Sequence, residues 1–167
     1  MIKDPYLINL IINVASTVIG GVFLAFIFFL MKEKVWNYYN IVGKWHLEFI
    51  TKSSSYNDYV NMVLVYDLFL WREGNQIFGT SEKSYEKSVN RDEKLVGKRR
   101  TRGNVTGVYE KKYLSADILN LHIHEFGTLR ESSYLIQLKV KKNNISGNFD
   151  SFIAEQKGLV NCTKKYF

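Results

Sequence analysis

The densest positive charge in the sequence lies at residues 98–102, where four of five residues are cations: Lys98, Arg99, Arg100 and Arg102. Arginine guanidinium groups bind phosphate oxygens through paired hydrogen bonds. On a β-strand, Arg100 and Arg102 would share one face and Arg99 the other. The cluster therefore indicates phosphate recognition, a solvated strand end, or contact with anionic lipid headgroups.

A phosphate site for nucleotides would also need side chains that hold the bases. Trp71 and Tyr109 are the aromatic residues that we assign to base stacking, and His122 is a further candidate ligand contact. His122 and His124 form a His-x-His pair, a spacing that places two metal ligands on one face of a strand. The sequence fixes no third ligand beside them, so we predict a polar strand face and no metal site.

Sequence patterns of known catalytic sites are missing. The chain contains no GxSxG, HExxH, P-loop or GxGxxG pattern. Its one cysteine, Cys162, excludes a disulfide framework and a cysteine-rich zinc site. We therefore expect neither an enzyme nor a cofactor, whereas the net charge of +7 favours an anionic partner.

The N-terminal region is apolar and uncharged over 26 residues, Tyr6 to Met31, of which 20 are apolar. As a helix this segment would be roughly 39 Å long, enough to cross a hydrocarbon core of about 30 Å. A buried core helix is rarely apolar all round over such a length, and a signal peptide would have a shorter apolar region and a cleavage site. We predict one retained transmembrane helix, because two crossings would need about 40 residues.

Charges on the two flanks of this segment predict its orientation. Lys3 and Asp4 precede it, whereas three lysines and three aromatic residues follow it: Lys32, Lys34, Lys44, Trp36, Tyr38 and Tyr39. Positive charge is retained on the cytoplasmic side of membranes, and aromatic residues favour the interface. The C-terminal domain is therefore expected in the cytoplasm.

Polar and small residues follow one face of the predicted helix: Asn9, Asn13, Ser16, Thr17 and Gly20. Small residues spaced by four let helix backbones approach closely, and amide side chains in hydrocarbon need hydrogen-bond partners. One interpretation is a simple anchor with tolerated polar residues. The other is a face through which copies of the helix associate.

From Gly43 onward the apolar period changes from 3.6 to 2, and β-branched and aromatic residues dominate. We predict strands at about 44–51, 59–71, 76–83, 100–108, 113–125, 132–141, 144–152 and 159–165, with a mobile loop in the mixed-charge part of residues 81–102. The fold class is mainly β: a transmembrane region at 1–34, a linker at 35–42, and an eight-stranded antiparallel up-and-down barrel at 43–167. A two-sheet sandwich is the alternative.

Two short segments of this domain resemble a known family. Ile41-Val42-Gly43-Lys44-Trp45 and Ile145-Ser146-Gly147-Asn148-Phe149 resemble the first and late strands of lipocalin-like minimal barrels. With the membrane segment, the chain resembles the transmembrane β-barrel effectors of bacterial antiphage systems, CBASS and Panoptes. That family often carries two membrane helices, whereas this chain has room for one.

The resemblance implies a function. It implies a defence effector in the bacterial inner membrane whose cytoplasmic barrel binds a cyclic di- or oligonucleotide and so controls oligomerisation and membrane disruption. Expected partners are the nucleotide, membrane lipid and further copies of the helix, but not duplex nucleic acid, for which no recognition helix is present. Nucleotide activates CBASS effectors and restrains those of Panoptes, so the sign of control is open. The alternative is an anchored carrier or scaffold that binds a lipid or a protein.

Overall fold

The computed structural model describes residues 5–31, 39–112, 115–127, 130–141 and 144–165, and the chain forms two compact units, Met1–Tyr38 and Tyr39–Phe167. The first unit contains helix α1, Pro5–Leu30, and none of its residues is buried. The helix is long and apolar enough to cross a membrane, with a mean hydropathy of 2.3 over its most apolar window. Most of the flanking residues that predict orientation (Lys3, Asp4, Lys32, Lys34, Trp36 and Tyr38) lie outside the described residues.

The second unit is built from antiparallel strands that follow one another along the chain. The strands are β1 Gly43–Ser53, β2 Val63–Glu73, β3 Gln76–Ser88, β4 Arg91–Lys94, β5 Arg102–Glu110, β6 Asp117–Phe126, β7 Ser132–Lys141, β8 Asn144–Ser151 and β9 Gln156–Lys164. Each of the eight predicted strands overlaps one of them.

The sheet closes on itself. β9 pairs with β1 from Trp45↔Lys164 to Ser53↔Lys157, and β5 pairs directly with β3, so eight strands form a complete ring. The prediction of an eight-stranded up-and-down barrel is confirmed, and the two-sheet sandwich is wrong because one continuous sheet closes. A closed ring leaves no unpaired barrel edge.

Strand β4 is the one described strand that lies outside the ring, and it was predicted as a loop. It pairs only with the far end of β3, which continues to Ser88 rather than ending near residue 83. Two ion pairs cross this hairpin: Lys87 Nζ lies 3.5 Å from Asp92 Oδ2, and Arg91 lies 3.9 Å from Glu86, which faces Glu93 in the strand register. Cross-strand ion pairs stabilise such a hairpin without the apolar alternation from which strands are recognised in a sequence.

Alternate side chains of every barrel strand fill the interior. Phe49 lies at the centre of an aromatic cluster, with ring centroids 5.2 Å from Tyr66, 5.1 Å from Phe149 and 5.5 Å from Tyr134. The strands approach so closely beside this cluster that a Cβ atom on Gly147 would lie 1.8 Å from the carbonyl oxygen of Gln137. The lumen is therefore a packed core and not an open channel.

The two ends of the barrel differ in their connections. The proximal end, as we term it, is where β1 begins and β9 ends, and it also carries the β2–β3, β5–β6 and β7–β8 turns. The opposite end, termed the mouth, carries the β1–β2, β6–β7 and β8–β9 connections and the β4 hairpin. The chain thus enters the barrel at the end away from the mouth.

Candidate functional site

The mouth of the barrel holds a cavity of about 660 Å³, within the range of small-ligand sites. Its wall carries six cations and three carboxylates: Lys83, Arg91, Lys98, Arg99, Arg100 and Arg130 against Glu86, Glu93 and Glu125. Tyr59 and Tyr134 also line it. The cavity is therefore polar, cationic on balance and partly aromatic.

The floor of this cavity is a buried charge cluster centred on Glu125, which is 3% exposed. The Tyr66 hydroxyl donates a hydrogen bond to Glu125 Oε2 at 2.5 Å, and Lys83 Nζ lies 3.2 Å from Oε1. A carboxylate this deeply buried requires such partners, because burial removes its hydration. A register shift between β2 and β3 leaves Ser84 as an extra residue in β3, beside Lys83.

Burial and mutual interactions shift the pKa values of the floor residues. Burial, together with the neighbouring Tyr134 and Glu125, holds the pKa of Tyr66 well above its usual value. Burial and Glu125 raise the pKa of Tyr134 as well. Burial alone would lower the pKa of Lys83, but Glu125 and Glu86 outweigh it and raise the pKa. At neutral pH the floor presents neutral tyrosines and a charged lysine.

The rim of the mouth carries arginines that are already paired with carboxylates. Arg99, at the end of the 3₁₀ turn Gly97–Arg99, donates a short hydrogen bond to Glu93 on β4. Arg100 is 3.4 Å from Glu82 and donates a hydrogen bond to the carbonyl oxygen of Leu95. An anion that enters the mouth must therefore compete with Glu93 and Glu82 for these guanidinium groups.

The far side of the rim is a constrained loop. Ala154 and Glu155, between β8 and β9, both have left-handed backbone conformations, with φ of 54° and 48°. The carbonyl oxygen of Ala154 accepts hydrogen bonds from the Ser55 amide and the Ser54 hydroxyl. Such conformations cost energy in residues other than glycine and persist only where surrounding bonds hold them. The loop leads directly to Gln156, which is buried, lines the mouth and has an Oε1 atom without a hydrogen-bond partner among the described residues.

The structure brings only part of the predicted nucleotide site together. Arg99 and Arg100 line the mouth. Arg102 lies on the outer wall, where its Nε is 3.1 Å from Glu82 Oε1, and it lines a second cavity there together with Lys98 and Arg100. Tyr109 is seven residues further along β5, roughly 23 Å away along the strand. It is buried, and its hydroxyl donates a hydrogen bond to Asp117 at 2.5 Å. Tyr109 is therefore not in contact with Arg99, Arg100 or Arg102.

Trp71 and His122 face outward on the barrel wall. Trp71 stacks on Phe78, with ring centroids 6.4 Å apart. His122 Nε2 lies 2.5 Å from the Ser133 hydroxyl. His122 and His124 are beside each other, but among the described residues no group of three or more His, Cys, Asp or Glu is placed to hold a metal ion.

The floor was missed although the sequence contains a signal for it. Leu119, Leu121 and Ile123 alternate along one face of β6, and the same alternation places Glu125 inside the barrel. A carboxylate in an inward-facing apolar series is the kind of buried polar residue that marks a site.

The predicted helix face is also found in α1. Asn9, Asn13, Ser16, Thr17 and Gly20 fall within an arc of roughly 100° at 100° per residue. All five are exposed, and the Thr17 hydroxyl donates to the Asn13 carbonyl oxygen at 2.9 Å. The Thr17 hydroxyl is thus satisfied inside the helix, whereas the carboxamides of Asn9 and Asn13 and the Ser16 hydroxyl are polar groups on this face that a partner helix can contact.

Comparison with protein-family models, with curated proteins and with solved structures finds no match for this chain.

The buried tyrosines predict alkaline sensitivity. Because the pKa of Tyr66 is raised on folding from about 10, its contribution to stability is complete below pH 10 and is lost as pH rises towards the folded value. We expect the unfolding free energy of the full chain in mild detergent to fall above pH 10, by up to about 1.4 kcal/mol per pH unit for each such tyrosine. Denaturant titrations between pH 8 and about pH 11 measure this.

The matched variants are Tyr66→Phe and Tyr56→Phe, the latter at a position that is 67% exposed. Tyr66→Phe should flatten the alkaline fall, and Tyr56→Phe should leave it unchanged. An unchanged alkaline slope in Tyr66→Phe would contradict the assignment.

Proposed function

We propose that this protein is a membrane-anchored effector whose barrel binds a cyclic di- or oligonucleotide in its mouth. The observation that carries the proposal is the cationic cavity of about 660 Å³ with tyrosines in its wall. Phosphate groups would displace Glu93 from Arg99 and Glu82 from Arg100, because a guanidinium group can bind either a phosphate or a carboxylate through paired hydrogen bonds. Tyr59, rather than Trp71 and Tyr109, would offer an aromatic surface for a base, because the Tyr134 ring is already packed against Phe49.

Ligand binding would act by changing how copies of the protein assemble in the membrane. A ligand shifts an equilibrium only if it binds one state more tightly than the other. Exchange of the rim ion pairs is a structural change that could distinguish assembled from dispersed barrels, and the Asn9/Asn13 face of α1 is the proposed contact between copies. In this proposal the barrel lies in the cytoplasm, and assembly disrupts the bacterial inner membrane as antiphage defence. The resemblance to CBASS and Panoptes effectors supports this biological role.

The alternative, an anchored carrier or scaffold, predicts a different interior. A lipid carried in the lumen would need an apolar cavity there, but Phe49, Tyr66 and Phe149 pack together in that space. A protein partner on the outer wall is compatible with the exposed Trp71 and Phe69. This alternative predicts that no cyclic nucleotide binds.

The binding site can be tested by calorimetry of the full chain in detergent with a panel of cyclic di- and trinucleotides. We expect one member to bind and Arg100→Ala to weaken it by at least about tenfold, since a charge-assisted hydrogen bond contributes about 1.5–3 kcal/mol. Arg102→Ala is the matched control, because Arg102 bonds the same Glu82 but lies outside the mouth. No binding by any member, or equal losses in both variants, would refute the mouth site.

The role of α1 is tested separately with Asn9→Leu/Asn13→Leu. We expect this variant to lose membrane disruption, measured as dye release from cells that express it, while its nucleotide affinity stays unchanged. Ile11→Leu/Val18→Leu changes the opposite side of α1 and should keep wild-type activity. Full dye release from the double-asparagine variant would exclude the polar face as the assembly surface.

A further inference from the structure

The proximal end of the barrel carries a large excess of positive charge. Lys44 begins β1, Lys164 and Lys165 end β9, Lys111 and Lys112 follow β5, and Lys139 and Lys141 close β7. With Arg72, eight cations lie within two residues of the strand termini in the described part of this end. The carboxylates there are three: Glu73, Glu110 and Asp117.

Part of this positive charge is exposed and is not used in ion pairs. At the mouth, Arg99 and Arg100 are bound to Glu93 and Glu82. At the proximal end, Lys139 and Lys141 are exposed on the outer wall of β7, and neither makes an ion pair among the described residues. Lys112 pairs with Glu110 and Lys165 with Asp67, and the cations at this end still outnumber the carboxylates by eight to three.

Exposed apolar side chains accompany these lysines. Val42 is 44% exposed just before β1, Trp71 is 39% exposed near the end of β2, and Val108 is 46% exposed near the end of β5. Tryptophan is enriched where a protein meets the interface of a bilayer, since its ring is amphipathic. Lysines together with a few apolar side chains are the composition of a surface that binds lipid headgroups.

The position of this surface in the chain favours a lipid partner over a nucleic acid or an acidic protein. β1 begins at the proximal end, and only residues 31–38 separate α1, which is apolar enough to span a membrane, from the barrel unit. We infer that the proximal end of the barrel is a docking surface for an anionic lipid bilayer. This inference is independent of the nucleotide site, which opens at the other end.

The test uses the full chain in nanodiscs of neutral phosphatidylcholine or of phosphatidylcholine with phosphatidylglycerol. A fluorophore on Asn75→Cys, in the β2–β3 turn, reports on the proximal end, and one on Asn90→Cys, in the β3–β4 turn, reports on the mouth. Cys162 is 7% exposed, so labelling is directed to the introduced cysteine. Quenching by headgroup-labelled lipid measures how close each probe lies to the bilayer.

We expect stronger quenching of the Asn75→Cys probe in anionic than in neutral discs, reversed by high salt, with no such difference for the Asn90→Cys probe. Lys139→Glu/Lys141→Glu should lower the docked-to-undocked ratio by at least about tenfold. Lys87→Glu/Lys94→Glu, which makes the same charge change near the mouth, should leave it unchanged. Equal quenching in both lipids, an equal effect of the two charge reversals, or loss of the Asn75→Cys quenching in anionic discs when RNA is added would overturn the inference.

Discussion

Closure of the sheet is the constraint on which the rest of this structure depends. Because β9 returns to pair with β1, every barrel strand has two neighbours, and every second side chain must point into a lumen of fixed width. Apolar and aromatic side chains fill that lumen around Phe49. Polar groups that face inward can then lie only near an open end. Glu125, Lys83 and Gln156 are such groups, and all three line the mouth.

Closure also separates the two surfaces to which function is assigned. An up-and-down ring of eight strands puts the start of β1 and the end of β9 together at the proximal end, and the mouth about one strand length away, roughly 33 Å along an eleven-residue strand. A ligand in the mouth cannot touch the residue where the chain enters the barrel. Any influence on assembly must pass through the barrel wall or through contacts between neighbouring barrels.

The sequence predicts the helix and the barrel strands well, but it does not predict which side chains the fold brings together. The alternation of Leu119, Leu121 and Ile123 identifies β6 and its inward face, and the uncharged run of α1 identifies the helix. Trp71 and Tyr109 were grouped with the arginines because all are aromatic or cationic, but strand register puts Tyr109 at the other end of β5 from Arg102. Register depends on pairing across the whole ring, which a single strand does not encode. The β4 hairpin consists mainly of polar and charged residues and so has no apolar period to detect.

Hydrogen–deuterium exchange of the full chain, with and without the cyclic nucleotide that binds most tightly, tests whether the mouth is the ligand site. We expect protection confined to the mouth, in the β4 hairpin with the 3₁₀ turn Gly97–Arg99 and in the start of β7 beside Tyr134. Protection centred instead on the outer wall around Trp71 and His122, or no protection by any cyclic nucleotide, would contradict it.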